Sequence, residues 1–244
     1  MVPLLAAGRA DAAGPEARHP EWFGYYHFVS GSELGPFKPE IPDDAALRAV
    51  ITEHLQPWAR LKMRQTNGVA DDTGAICQLD GIFRIPIRGG GFMWLPSGAN
   101  RVLIVSSHVY SAGVRRVHLD RPHPTYPAPT WLGDSVGRWD GDVMVVDTVG
   151  FNDTSWLTDS MHPHTENLHV VERYRLAAPD MMEVRTTVED RQALRSPYSY
   201  SRYYKRVGTE VPETICNADP GEQRMWTGFR MKARKDGMRP LPVE

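Results

Sequence analysis

Little in this sequence advertises a cofactor or a macromolecular partner. Cysteine is scarce: Cys77 and Cys216 are the two present in 244 residues and they lack CxxC spacing. That excludes a zinc ribbon or a thioredoxin-type motif and leaves free thiols as the reading. No apolar run approaches the roughly 18 residues that a bilayer-crossing helix needs. No single-sign block of charge occurs either, and 28 Lys and Arg against 30 Asp and Glu give a formal net charge of −2. Nucleic acid and an anionic membrane are therefore poor partners. The GxSxG elbow, the GxxxxGK[ST] phosphate loop and HExxH are all absent, and no GxGxxG sits between a strand and a helix. What these absences leave is a chain without a cofactor that meets a neutral or weakly charged small molecule, with self-association into a homo-oligomer left open. The start, MVPLLAAGRADAAG, has an apolar patch but no basic residue before it. It reads as a tail rather than a cleaved signal, which points to the cytoplasm, with a periplasmic or secreted location as the alternative.

Residues 1–20 are rich in Ala, Gly and Pro and aperiodic, as in a frayed terminus. Residues 21–244 read as a single domain. Within it, 43–63 is the helical segment: Asp43 or Asp44 caps it, Leu47, Val50, Ile51 and Leu55 recur at helical spacing until Pro57 interrupts, and a second short helix follows to Met63. Beyond Gly74 the apolar spacing becomes two, and turn residues arrive about every ten positions. Eight strands follow: GIFRIPI, FMWLP, RVLIVSSHVY, VRRVHLD, DVMVVDT, LHVVERYRL, MMEVRTTVE and PYSYSRYYKRV. The fold class is therefore mainly β, an antiparallel barrel of eight or a similar number of strands, wide enough to hold one small ligand.

The densest stretch is Trp131–Asp153, WLGDSVGRWDGDVMVVDTVGFND. Asp140-Gly141 is a tight-turn signal between two extended pieces, Gly133-Asp134-Ser135 forms an earlier turn, and Trp131 and Trp139 are packing anchors. A calcium loop would need a different ligand spacing and a closing glutamate. This stretch, with the HPHTENLHVVERYR and TTVED that follow, resembles a bacterial family of largely uncharacterised proteins with the pattern WLGDSxGxWeGDtLvVdTtGFnD. The resemblance covers about residues 100–220, and RTTVEDRQAL departs from it by lacking a proline after the Asp. It implies a lipocalin-like, calycin-type barrel and leaves the chemistry unassigned.

Strand alternation sorts side chains into two faces. His108 and Tyr110 extend the apolar face of RVLIVSSHVY; Arg116 and His118 share a face opposite Arg115 and Val117. His169 and Arg173 lie opposite Glu172 and Tyr174, and Tyr198, Tyr200 and Arg202 form one stripe. If such faces line a cavity, they suit a planar, partly polar organic ligand. The leading expectation is a lyase or isomerase working by acid–base catalysis on a small phenolic molecule, expelling water or formaldehyde. His108, His118 or His169 would move the proton, Tyr110 or Tyr200 would donate to an oxygen, and Arg116 or Arg173 would steady the anion. Asp147, Trp156, Tyr198, Tyr200 and Arg202 would bind the substrate, Asp147 needing a His or Arg if buried. Two alternatives stand beside it: a non-catalytic carrier or sensor of a hydrophobic molecule, and a metal enzyme using His162 and His164 of the HPH segment.

Overall fold

The computed structural model describes residues 19–41, 43–67, 71–76, 78–84, 90–107, 113–208 and 210–211. The tail 1–18, both cysteines, His108 and Tyr110 lie outside the described residues. Nine strands form one closed barrel: β1 (Gly24–Val29), β2 (Gly91–Pro96), β3 (Arg101–Ser107), β4 (Gly113–His118), β5 (Asp134–Asp140), β6 (Val143–Val149), β7 (His169–Ala178), β8 (Met181–Glu189) and β9 (Tyr198–Gly208). Each strand pairs with the next, and β9 returns antiparallel to β1. This is the lipocalin-like architecture the sequence implied, with one extra strand and one parallel seam.

That seam joins β4 to β5 at Val117↔Ser135 and His118↔Val136. Parallel neighbours need a long crossover, and here residues 119–133 supply it, with Pro122, Pro124, Pro127 and Pro129 keeping the segment out of the ladder. Gly137 lets the seam close. A Cβ there would lie 2.6 Å from Val117 Cγ1 and 2.9 Å from Leu119 Cδ2. The β5–β6 hairpin turns through Gly141 and Asp142, with Asp140 opposite Val143. Gly141, the first loop residue, has φ 60°, the left-handed conformation a two-residue hairpin asks of its first position.

GIFRIPI contributes no strand in its described part, which is a turn ending at Arg84. Arg84 is fully buried. Its guanidinium bonds to Asp159 Oδ1 at 2.8 Å, Asp72 at 2.8 and 3.0 Å and Asp80 Oδ1 at 2.9 Å. A buried guanidinium must be surrounded by acceptors, and that need overrides the alternating pattern. The strand not foreseen is β1, in the aromatic run GYYHFV; β5, outside the eight, is the extended piece read before the Asp140-Gly141 turn.

Inward residues fall into two layers. At one end Trp22, Trp94 and Trp139 meet edge to face, centroids 5.0–5.8 Å apart, above Tyr26, Val117, Met144 and Met182. The other end is capped by two helices, α1 (Asp44–His54) and α2 (Pro57–Gln65), the helical segment read from the sequence divided at the Pro57 interruption. Asp43 caps α1 by accepting from Ala46 N at 2.8 Å. Leu47, Ile51, Leu55 and Ala59 then pack on Phe151, Leu168, Val170, Val188 and Tyr198. Among the described residues no helix is long and apolar enough to cross a membrane.

Candidate functional site: a polar cluster in an aromatic barrel

Between the tryptophan floor and the helical cap lies a cavity of about 60 Å³, the space open to the centre of a water-sized sphere. Apolar and aromatic side chains, among them Phe92, Ile104, Val184, Tyr174, Tyr200 and Tyr204, supply most of its wall. Three charged side chains, Arg115, Glu172 and Arg202, reach it. Each stands on a strand face otherwise occupied by inward apolar or aromatic groups.

Arg115 on β4 crosses the interior to Glu172 on β7, Nη2 to Oε2 2.5 Å. The same guanidinium donates to Ser135 Oγ at 2.8 Å and Thr148 Oγ1 at 2.6 Å. Tyr174 Oη donates to Glu172 Oε1 at 2.8 Å. The Arg115 approach to Oε2 is an ion pair without hydrogen-bond alignment, so Oε2 keeps a buried, unsatisfied lone pair. Burial opposes the charge on Arg115, and Glu172 together with Tyr174 more than offsets it, leaving the guanidinium held above its ordinary pKa. Burial, reinforced by Glu172, pushes Tyr174 well above the usual phenol range. Burial likewise lifts Tyr200 to about 12, against the opposing pull of Arg202. These phenols are neutral donors at any physiological pH.

Arg202 on β9 bonds to Asp44 Oδ1, the first residue of α1, at 2.7 Å, and to the carbonyls of Ile41 and Ser201 at 3.4 and 3.2 Å. It lies over the Tyr200 ring at 5.2 Å. Its Nε is buried and unpartnered. The residues of the cavity wall thus carry one donor without a hydrogen-bond partner, Arg202 Nε, and one ion-paired acceptor with a lone pair to spare, Glu172 Oε2.

Of the residues singled out from the sequence, Tyr200 and Arg202 line this cavity. Tyr198 is buried one layer further on, beneath the helical cap. Arg116 is exposed on the outer face of the barrel. His118, beside it on the same outer face, is held below its ordinary pKa by partial burial and then by Arg121. Arg173 pairs with Asp140 at 3.0 Å on the outside. Trp156 packs near α2, donating to Asp71 O at 3.3 Å with Lys62 above its ring. Asp147 also faces outward and is not a buried carboxylate. It accepts from His169 Nε2 at 3.0 Å and His123 Nε2 at 3.1 Å, while His123 Nδ1 bonds to Asp134 at 2.8 Å. The His169 hydrogen bond, against some burial, lowers Asp147 and the same bond raises His169.

His162 and His164 are buried among hydroxyls. His162 shares its nitrogens with Thr52 Oγ1 at 2.7 Å and Thr158 Oγ1 at 2.5 Å; His164 meets Ser155 Oγ at 2.9 Å and Thr165 O at 3.1 Å. Desolvation, helped by Arg48, drops His162 to about 4. Among the described residues no group of three or more His, Cys, Asp or Glu has an arrangement that would hold a metal ion.

Arg115, Glu172, Tyr174, Ser135 and Thr148 escaped the sequence reading as a cluster. The signal was present: Arg115 shares a face with Val117, and Glu172 with Leu168, Val170 and Tyr174. The apolar face of each strand is the inner one.

No protein-family model and no curated protein matches the chain. A point mutant of the REP1-NXSQ fatty acid transporter is similar to it at 12% identity and TM-score 0.39, covering 77% of this chain and 99% of that one. A mutant of the fluorescent protein UnaG is similar at 10% identity and TM-score 0.36, covering 78% and 99%. Likeness at this level bears on neither ligand nor chemistry.

Proposed function

We propose that this protein binds a small, mostly apolar organic molecule inside its barrel and acts as a carrier or sensor of it. The observation that carries the reading is the cavity itself, walled by aromatics and aliphatics, with a few polar groups converging from β4, β7 and β9. Sites of this kind gain affinity from apolar burial, about 25 cal/mol per Å², and orientation from a few polar contacts. The Arg115–Glu172 pair fits a binding role better than a stabilising one. A buried ion pair contributes little net stability against an apolar replacement of the same shape.

The reading is tested by calorimetric titration of the protein with toluene and naphthalene, beside a Val184→Trp variant that fills the cavity. Saturable one-to-one binding by the wild type, lost in a variant with an unchanged circular dichroism spectrum, is expected. Absence of saturable binding, or binding indifferent to the filled cavity, would refute it.

A second reading, the lyase or isomerase on a phenolic molecule, has one observation of its own. Glu172, bonded to Tyr174 and beside Arg115, places a carboxylate in the cavity wall, within reach of any proton on a molecule held there. Glu172 would then be the base, Tyr174 the donor and Arg115 the stabiliser of the anion. These roles replace those that spacing assigned to His118, His169, Arg116 and Arg173. Release of water or formaldehyde from a 4-hydroxyphenyl carbinol, abolished by Glu172→Gln, is the expected outcome. No turnover over the wild-type background leaves binding as the function.

A further inference from the structure

The charges around the cavity cancel in pairs. Arg115 faces Glu172 at 2.5 Å, and Arg202 is met by Asp44 at 2.7 Å. Among the described residues no other charged side chain lines the wall. A ligand carrying a carboxylate or an ammonium would therefore enter a site with no counter-charge to spare, and an uncompensated buried charge is costly. Two polar atoms of these wall residues nevertheless lack a hydrogen-bond partner: Arg202 Nε is a buried donor without one, and Glu172 Oε2, ion-paired to Arg115, keeps a lone pair to offer. A buried polar atom without a partner is uncommon and asks for one. The group that can serve both kinds of atom without bringing charge is a hydroxyl, which donates one hydrogen bond and accepts others.

Resting on the reading of the barrel as a binding site, we infer that its occupant is electrically neutral and bears a hydroxyl on an apolar body, the hydroxyl meeting Arg202 Nε, Glu172 Oε2 or both. The aromatic wall of Phe92, Tyr174, Tyr200 and Tyr204 holds the body. The internal pairing is the selectivity device, because it leaves an anion nothing to neutralise. Arg202 is also the joint between the cavity and the cap, since Asp44 opens α1. Replacing Asp44 with Asn frees a positive charge at the cavity wall with little change of shape.

The experiment is calorimetry at pH 7 with probes of one size: 4-methylphenol, 4-methylcyclohexanol, toluene, 4-methylbenzoate and 4-methylbenzylamine. The two alcohol-type probes distinguish a phenolic from an aliphatic hydroxyl. A phenol with a pKa of about 10 is neutral at this pH, and a carboxylic acid near 4 is ionised. At least one hydroxylated probe is expected to bind five- to tenfold more tightly than toluene and at least tenfold more tightly than the benzoate and the amine. In Asp44→Asn the benzoate gains at least tenfold relative to the hydroxylated probe. Arg202→Lys keeps the charge but lacks the Nε donor, and lowers the preference for the hydroxylated probe over toluene three- to tenfold. Glu172→Gln, if it folds, also shifts preference toward the benzoate. Benzoate or amine binding the wild type as well as the hydroxylated probes, or toluene matching them, overturns this inference while leaving the barrel a binding site. Failure of every probe to bind overturns the binding reading, and this inference falls with it.

Discussion

Replacing both members of the Arg115–Glu172 pair should be far less harmful than replacing either one. Both side chains are more than nine-tenths buried and 2.5 Å apart at their nearest atoms. With about 4 Å between charge centres and an effective dielectric constant near 20, their attraction is about 4 kcal/mol. Their desolvation consumes a comparable amount, so the pair contributes little net. Removing one partner forfeits the attraction and leaves the other desolvated. Arg115→Met strands Glu172 with Tyr174 as its remaining hydrogen-bond donor; Glu172→Leu strands Arg115 with Ser135 and Thr148. Each single variant is expected to lose about 3–5 kcal/mol, and the double variant to lie within about 1 kcal/mol of the wild type or above it. Urea unfolding followed by tryptophan fluorescence reads this directly, the chain having seven tryptophans, with the midpoint giving the change if the slope is constant. A coupling free energy of about 3 kcal/mol or more should emerge from the cycle. Single losses below about 1 kcal/mol, or losses that simply add, would refute the description of these groups as a desolvated pair.

Three further outcomes follow from other parts of the barrel. Gly137→Ala puts a methyl group where Val117 Cγ1 stands at 2.6 Å, so the β4–β5 seam should loosen at a cost of about 1–3 kcal/mol in the same urea assay. His162 is held near 4 when folded against 6.5 ordinarily. The unfolded chain therefore takes up a proton that the folded protein refuses, and stability should fall by about 3 kcal/mol as pH drops from 6.5 to 4. A His162→Asn variant should show a correspondingly flatter decline in melting temperature over that range. On the outer wall, His169 is raised above 6.5 and Asp147 lowered below 3.8. Their contribution is present between those values, lost as pH rises through the raised His169 pKa, and lost again as it falls through the lowered Asp147 pKa. Both groups are over a third exposed, so Asp147→Asn should cost no more than about 1 kcal/mol at pH 6 and less at pH 8.5.

The barrel was legible because strand alternation and turn chemistry are local. MMEVRTTVE and PYSYSRYYKRV read as strands at sight, and Asp140-Gly141 marked the hairpin that Gly141 turns. What failed was non-local. GIFRIPI alternates as a strand should, yet the carboxylates of Asp72, Asp80 and Asp159 converge on Arg84 from distant positions and fix it in a turn. The GYYHFV run lacks polar alternation, having an inner face on the aromatic floor and an outer face that is also largely covered. The parallel β4–β5 seam depends on a proline-rich crossover that no periodicity announces.

The site was half legible, and the reason lies in which face of a strand chemistry draws the eye to. Histidines and arginines at alternating positions suggest catalysis, but a face rich in them is the face that water solvates, and so His118, His169, Arg116 and Arg173 stand outside. The informative pattern is the opposite one. Arg115 beside Val117 and Glu172 among Leu168, Val170 and Tyr174 are single charges on otherwise apolar faces, and a lone charge carried inward must find its opposite. Barrel closure supplies it, because β4 and β7 look at each other across the interior. Arg202 obeys the same rule, with a partner drawn from α1 rather than from another strand. Its position in the stripe with Tyr198 and Tyr200 was readable, but Asp44, 158 residues away, could be identified only once the helical cap was placed over the barrel.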